Sequence, residues 1–257
     1  MLFQIKKYLQ FLWHSTNQHG VHSPFVFAFV TKCLYDKNSH PQYAVLKKYR
    51  QSLLQNKEKI KVNEFGAGSR VFKSDLRQVS KIATHAGASL KRMKLLYRVV
   101  NYFKPDTILE LGTSLGLATA ALSSNNTAKT TTLEGCRETA HTAQKELKKL
   151  DFIENTEFII NDFNQSFKSL GSENFDLIYF DGNHSKDATL DYFEKLLSTK
   201  HNDSVWIFDD IYWSSDMAEA WEIITKHPQV TVTIDCFWLG FVFFRTEQEK
   251  ENFKIRL

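Results

Sequence analysis

Cysteine is scarce in this chain of 257 residues: Cys33, Cys136 and Cys236 are far apart and show no C-x-x-C spacing. An odd, scattered set excludes a disulfide framework and a thiolate zinc site, and it fits the reduced thiols of a cytoplasmic protein. No run approaches the ~20 consecutive apolar residues of a membrane span. The opening MLFQIKKYLQFLWHS is interrupted by Gln4, Lys6, Lys7 and Gln10 and lacks a small-residue cleavage site, which speaks against a signal peptide. The chain also has no G-x-G-x-x-G turn, the usual seat of a dinucleotide pyrophosphate. Acids are rare at the front. Residues 1–105 hold 4 Asp+Glu against 19 Lys+Arg, whereas residues 106–257 hold 25 against 14.

What remains is an ordinary globular composition, 42% hydrophobic and 24% charged. The length suits one large α/β domain with an appendage, or two small domains. The balance of +15 at the front against −11 behind suggests two functional regions. Two explanations stay open. The basic front packs on the acidic back or is a solvated face, or it recruits an anionic partner such as phosphate, nucleic acid or an acidic membrane surface.

Residues 1–60 read as helices. Leu2, Ile5, Leu9, Leu12 and Trp13 form one stripe, for which core packing is favoured over a membrane surface. Ser23-Pro24 starts a second helix as cap and first residue, and Pro41 opens a third. Residues 61–104 hold a Gly-bearing loop with Gly66, Gly68, Ser69 and Arg70, then helices over about 72–85 and 89–103. That loop reads equally as an anion cradle or a plain turn. From Thr107 strands and helices alternate, with strands at 107–111, 129–134, 156–161, 175–181 and 203–209. Two more, 230–235 and 240–245, are joined by a link short enough for a hairpin. The pattern predicts an α/β fold: a Rossmann-like, doubly wound, mostly parallel seven-stranded sheet ending in an antiparallel hairpin, with an N-terminal helical region. The divisions expected are a helical cap at 1–60, a connecting region at 61–104 and the α/β domain at 105–257. The charged tail from Thr246 is expected to fray.

The chemistry gathers at strand ends, where open α/β sheets bind ligands. TILELGTSLGLAT, residues 107–119, is a strand that breaks on glycine into a helix of small residues, with Glu110, Gly112, Ser114 and Gly116 in E-x-G-x-x-x-G spacing. Glycine there lets the backbone approach a ligand. Glu134 follows 22 residues after Gly112, a distance suited to a ribose diol. The next strands end in Asp162, in Asp181-Gly182-Asn183-His184 and in Asp209-Asp210. A lone strand-end acid is often only a helix cap. Five in succession point to a ligand site.

The segment 105–245 resembles the class I S-adenosylmethionine-dependent methyltransferases. ILELGTSLG looks like their first motif, Glu134 matches the acid that holds the ribose and Asp162 the acid beside the adenine. FDLIYFDGNHSKDATLDYFEKLL followed by VWIFDDI is similar to the small O-methyltransferase branch related to catechol O-methyltransferases. The resemblance implies that Glu110, Gly112, Ser114, Gly116, Glu134, Asp162 and Asp181 bind the cofactor, and that Asp181, His184 and Asp209 lie at the reacting hydroxyl. In that branch a divalent ion sits at positions matching Asp181, Asp209 and Asp210, although Asp210 replaces an Asn. Mg²⁺, Mn²⁺ or Ca²⁺ on three carboxylates, and a metal-free site with Asp181 or His184 as general base, both stay open.

The physical chemistry agrees, since a sulfonium cation welcomes acids and needs no phosphate seat. The function expected is methyl transfer to an oxygen of a small or medium polar acceptor, one that the basic front allows to be anionic. A nucleic-acid methyltransferase is not favoured, because no N/D-P-P-Y/F segment and no RNA module is present. A non-catalytic cofactor-binding protein stays open, as does a homodimer.

Overall fold

Short apolar runs become strands and the amphipathic stretches between them become helices, as their two periodicities require. The computed structural model describes residues 2–63, 72–124, 127–150, 153–171 and 173–257. In chain order the elements are α1 (Leu2–His14), α2 (Pro24–Phe29), α3 (Gln42–Gln55), β1 (Lys59–Lys61), β2 (Leu76–Gln78), α4 (Val79–His85) and α5 (Leu90–Phe103). They continue with β3 (Thr107–Leu111), α6 (Leu117–Ser123), β4 (Lys129–Glu134), α7 (Arg137–Leu147), β5 (Thr156–Ile160) and α8 (Phe163–Ser169). The last are β6 (Leu177–Phe180), α9 (Lys186–Leu196), β7 (Val205–Asp209), α10 (Ser215–Lys226), β8 (Val232–Asp235), β9 (Leu239–Phe243) and β10 (Glu251–Lys254). Local chemistry sets the boundaries. The Ser23 hydroxyl accepts the Val26 N–H with Pro24 at the first helical position, and Ser89 does the same for Arg92 at the start of α5. Lys104 closes α5 in the left-handed region at φ 50°. Among the described residues no helix is long and apolar enough to cross a membrane.

The chain folds as two compact units, 36–171 and 1–35 with 172–257. In the first, β3, β4 and β5 run parallel with β4 between the others. Their register puts Leu111 opposite Leu133 and Glu134 opposite Ile160, so the ends that carry candidate residues line up. α6 is buried along its whole length, because small side chains (Ala118, Ala120, Ala121) let α3 and α5 close over it. A two-stranded antiparallel ribbon, β1 with β2, takes up residues 76–78, where the hydrophobic pattern predicts the start of a helix.

In the second unit the strand order is β10-β8-β9-β7-β6. β6 and β7 are parallel, and β9 is antiparallel to both β7 and β8, so the expected hairpin is present with β9 on its inner side. Aromatic rings fill this core. Phe180 stacks on Phe208 at 4.2 Å, and Phe29 of α2 meets Phe241 and Phe243 edge-on at 5.3 and 5.8 Å. Apart from the β1–β2 ribbon, three strands in one unit and five in the other make eight, not seven. The additional strand is β10, parallel to β8, in the tail expected to fray. Its charges dominate the sequence, but Phe253 and Ile255 fall two apart and are both buried. Phe253→Ala should therefore cost about 3–5 kcal/mol of unfolding free energy in urea. A loss within experimental error would mean that the tail does not pack.

Candidate active site

Three residues of the turn after β3 have positive φ: Gly112 at 104°, Ser114 at 48° and Gly116 at 72°. Glycine adopts such values freely, whereas a serine needs an external hold. Glu134, at the end of β4, supplies it. Its Oε2 accepts the Ser114 N–H at 2.7 Å and its Oε1 accepts the Cys136 N–H at 2.8 Å. The Gly112 and Thr113 N–H groups both donate to the Leu133 carbonyl, at 2.9 and 3.2 Å, tying the turn to the neighbouring strand. Burial pushes the Glu134 carboxyl above the usual range, against the pull of those N–H groups.

Gly116 opens α6. A Cβ there would lie 2.6 Å from a Leu147 methyl and 3.2 Å from the Tyr49 hydroxyl. The protein's own side chains thus fill the space that the sequence reserves for a ligand's approach. Tyr49 comes from α3, is buried, and donates its hydroxyl proton to the Leu115 carbonyl at 2.8 Å. Burial, then Glu146 and Glu110, raise its pKa well above that of a free phenol.

Beneath the turn Glu110 is fully buried, at 0% exposure. Its Oε2 accepts hydroxyl protons from Thr119 and Thr132, both at 2.6 Å, and Thr132 shares a further hydrogen bond with Thr113. Its Oε1 has no hydrogen-bond partner among the described residues. Burial pushes the Glu110 pKa up to about 8, the two threonines pull it down and Glu134 adds to the rise. Near neutral pH this group holds a proton. Asp162 follows β5 and caps α8 by accepting the Gln165 N–H at 3.1 Å. The structure thus brings Glu110, Gly112, Ser114, Gly116 and Glu134 into one turn, with Asp162 at the helix start that follows the adjacent strand.

The other expected residues belong to the second unit. Asp181 follows β6, and its Oδ1 lies 3.6 Å from His184 Nε2, an ion-pair distance beyond hydrogen bonding. Asn183 between them has φ 50° and donates its side-chain amide to the Tyr192 hydroxyl at 3.1 Å, which fixes the loop. Asp209 is only 1% exposed. The Tyr179 hydroxyl donates to its Oδ2 at 2.7 Å and the Asp210 N–H to its Oδ1 at 2.8 Å. Asp210 has φ 52°, and its N–H also reaches the Trp238 carbonyl at 2.8 Å. Among the described residues no group of three or more His, Cys, Asp or Glu side chains can hold a metal ion. The expected metal trio of Asp181, Asp209 and Asp210 does not fit a cation, because Asp209 is turned into the core and bonded there by a tyrosine.

Sequence reasoning misses Tyr49, the hydroxyls of Thr113, Thr119 and Thr132, and a second buried pair in which Tyr212 donates to Asp235 at 2.7 Å. Burial raises the pKa of both members of that pair. One signal was available: KTTTLE puts three polar residues in a buried strand. The Gly66–Arg70 loop lies outside the described residues.

Comparisons with known proteins bear on the fold. A family profile described as "Methyltransferase domain" matches residues 109–211. Among solved structures, an SAH-bound methyltransferase of Podospora anserina aligns at TM-score 0.61 and 15% identity, over 88% of this chain and 97% of that one. An O-methyltransferase of Bacillus cereus in complex with SAH aligns at 0.55 and 17%, over 83% and 98%. A Streptomyces achromogenes O-methyltransferase involved in tomaymycin synthesis, solved with SAM, aligns at 0.55 and 18%, over 63% and 82%. At such identities the likeness is one of fold. A comparison with curated protein sequences finds no match.

Glu110 makes stability depend on pH. Its pKa rises from an ordinary 4.5 to about 8 on folding, so within that window the folded state keeps a proton that the unfolded chain has lost. Stability from this group is then lost at about 1.4 kcal/mol per pH unit as pH rises, and levels off above about 8. Urea midpoints at pH 5 and pH 8 should differ less in Glu110→Gln than in the parent. An equal difference would show that Glu110 titrates normally. Tyr49→Phe should cost about 1–3 kcal/mol, by leaving the Leu115 carbonyl without its donor.

Proposed function

We propose that this chain, which matches a methyltransferase domain over residues 109–211, is a class I S-adenosylmethionine-dependent methyltransferase that methylates an oxygen of a small or medium polar acceptor. The observation that carries the cofactor assignment is the buried carboxyl pair behind the glycine turn. Among the described residues Glu110 offers an oxygen without a hydrogen-bond partner, and both Glu110 and Glu134 have pKa values raised by burial, so a cationic ligand offsets the cost of ionising them. When bound, S-adenosylmethionine supplies an electrophilic methyl group on positively charged sulfur. Gly112, Ser114 and Gly116 shape the turn that receives its methionine end. Glu134 keeps lone pairs for the ribose hydroxyls while holding Ser114, and Asp162 serves the adenine side.

Transfer to oxygen needs the acceptor hydroxyl to lose its proton and to face the methyl in line. Asp181 is the base in this proposal. His184 lies beside it, Nε2 at 3.6 Å from the Asp181 Oδ1. Asp209, fastened by Tyr179, is a positioning residue that fixes Asp210 through the backbone. No step is assigned to a divalent ion.

A second proposal, a nucleic-acid acceptor, draws on the basic side chains that α3 and α5 bring to one unit, among them Lys47, Arg50, Lys94 and Arg98. It requires binding to RNA or DNA that weakens steeply with salt. A weak salt dependence favours a small, anionic acceptor.

Calorimetric titration should show S-adenosylmethionine binding whose affinity rises with pH up to about 8, with proton release, because the cation prefers ionised Glu110. Glu110→Gln should weaken binding and flatten that profile. Absence of binding to the parent chain would falsify the assignment. Asp181→Asn should lower turnover by roughly 10²–10⁴, and EDTA should leave turnover unchanged.

A further inference from the structure

Helix α1 is apolar on two faces. Its inner face is seated on its own unit. Phe11 is buried, the Tyr8 and Phe11 rings lie 4.8 and 5.5 Å from that of Phe237, and the Gln4 amide donates to the Trp213 carbonyl at 3.4 Å. Among the described residues its outer face is uncovered. Leu2 is 85% exposed, Ile5 51%, Leu9 62% and Trp13 87%. Their spacing of three, four and four residues puts them on one stripe of the helix. Four large apolar side chains on one exposed stripe are unlike the single exposed leucines that any surface carries.

Charge selects what covers this face. Residues 1–35 contain Lys6, Lys7 and Lys32 and no Asp or Glu. Lys6 flanks the exposed stripe. Lys7 meets the α10 carboxylate of Glu222 at 4.0 Å, so that nearby acid is offset. A second copy docking α1 on α1 would bring lysines together with no carboxylate in the segment to compensate. An anionic lipid surface answers every feature. Its acyl boundary takes Leu2, Ile5 and Leu9, its headgroup layer suits the indole of Trp13, and its phosphates attract the lysines.

We infer that α1 is an interfacial anchor that lays its outer stripe on an anionic membrane surface, with the inner stripe holding the unit to the helix. The inference is independent of the methyl-transfer proposal, and failure of either leaves the other standing.

Sedimentation of the full chain with vesicles tests it. Vesicles of phosphatidylcholine with about 30% phosphatidylserine should carry the chain down, and pure phosphatidylcholine vesicles should carry much less. Binding should fall in about 0.5 M salt. Trp13→Ala and Leu9→Glu should each weaken partitioning by roughly tenfold or more, with melting curves unchanged because both side chains are exposed. Lys6→Glu should remove the preference for phosphatidylserine. A parent chain that stays in the supernatant with phosphatidylserine vesicles would overturn the inference. So would undiminished binding by both Trp13→Ala and Leu9→Glu, or a dimer in analytical ultracentrifugation that Leu9→Glu dissociates while no lipid binding is seen.

Discussion

The hydrogen bond from the Ser114 N–H to Glu134 underlies much of the first unit's geometry. Without it, a non-glycine residue in the left-handed region costs roughly 1–2 kcal/mol with nothing in return. With it, the chain leaves β3, reverses through three positive φ values and enters α6 at Gly116. The same carboxylate holds the start of the segment after β4 through Cys136. Two strand ends are thus fixed by one side chain, and Glu110 lies beneath them among threonine hydroxyls. A turn already held by the protein has little conformational entropy left to lose when a ligand arrives.

The strand-end acids divide by where their oxygens point. Glu134 serves the turn, and Asp209 and Asp235 are bonded by tyrosines inside their unit. Asp181 is half-buried beside a histidine. Acidity at the carboxyl end of a sheet therefore does two jobs here. Some carboxylates brace a bend by accepting N–H and O–H groups, while Asp181 stays partly exposed.

Much of this was legible in the sequence because it rests on periodicity and on glycine. The strand positions, the turn at Gly112–Gly116 and the hairpin follow from patterns of two and of three to four residues. The orientation of Asp209 was not legible, because alternation along a strand is clear only when one face is polar, and VWIFD is buried throughout. Tyr49 escaped because its partner, Leu115, lies 66 residues away and uses only a backbone carbonyl. Strand β10 escaped because charge outweighs two buried apolar residues in any local average.

Tyr49 also bears on what a domain is in this protein. The segment that matches the methyltransferase profile, 109–211, does not coincide with either compact unit. Its glycine turn is packed by a tyrosine from α3, and β9, the partner of β7, takes its aromatic neighbours Phe25 and Phe29 from α2. The matched segment is therefore not a folding unit by itself. Cut out alone it would lose Tyr49 from its glycine turn and β9, with the α2 aromatics packed on it, from the edge of β7. Position 116 is thus held to glycine twice over, by its positive φ and by the Leu147 and Tyr49 side chains that a Cβ would meet.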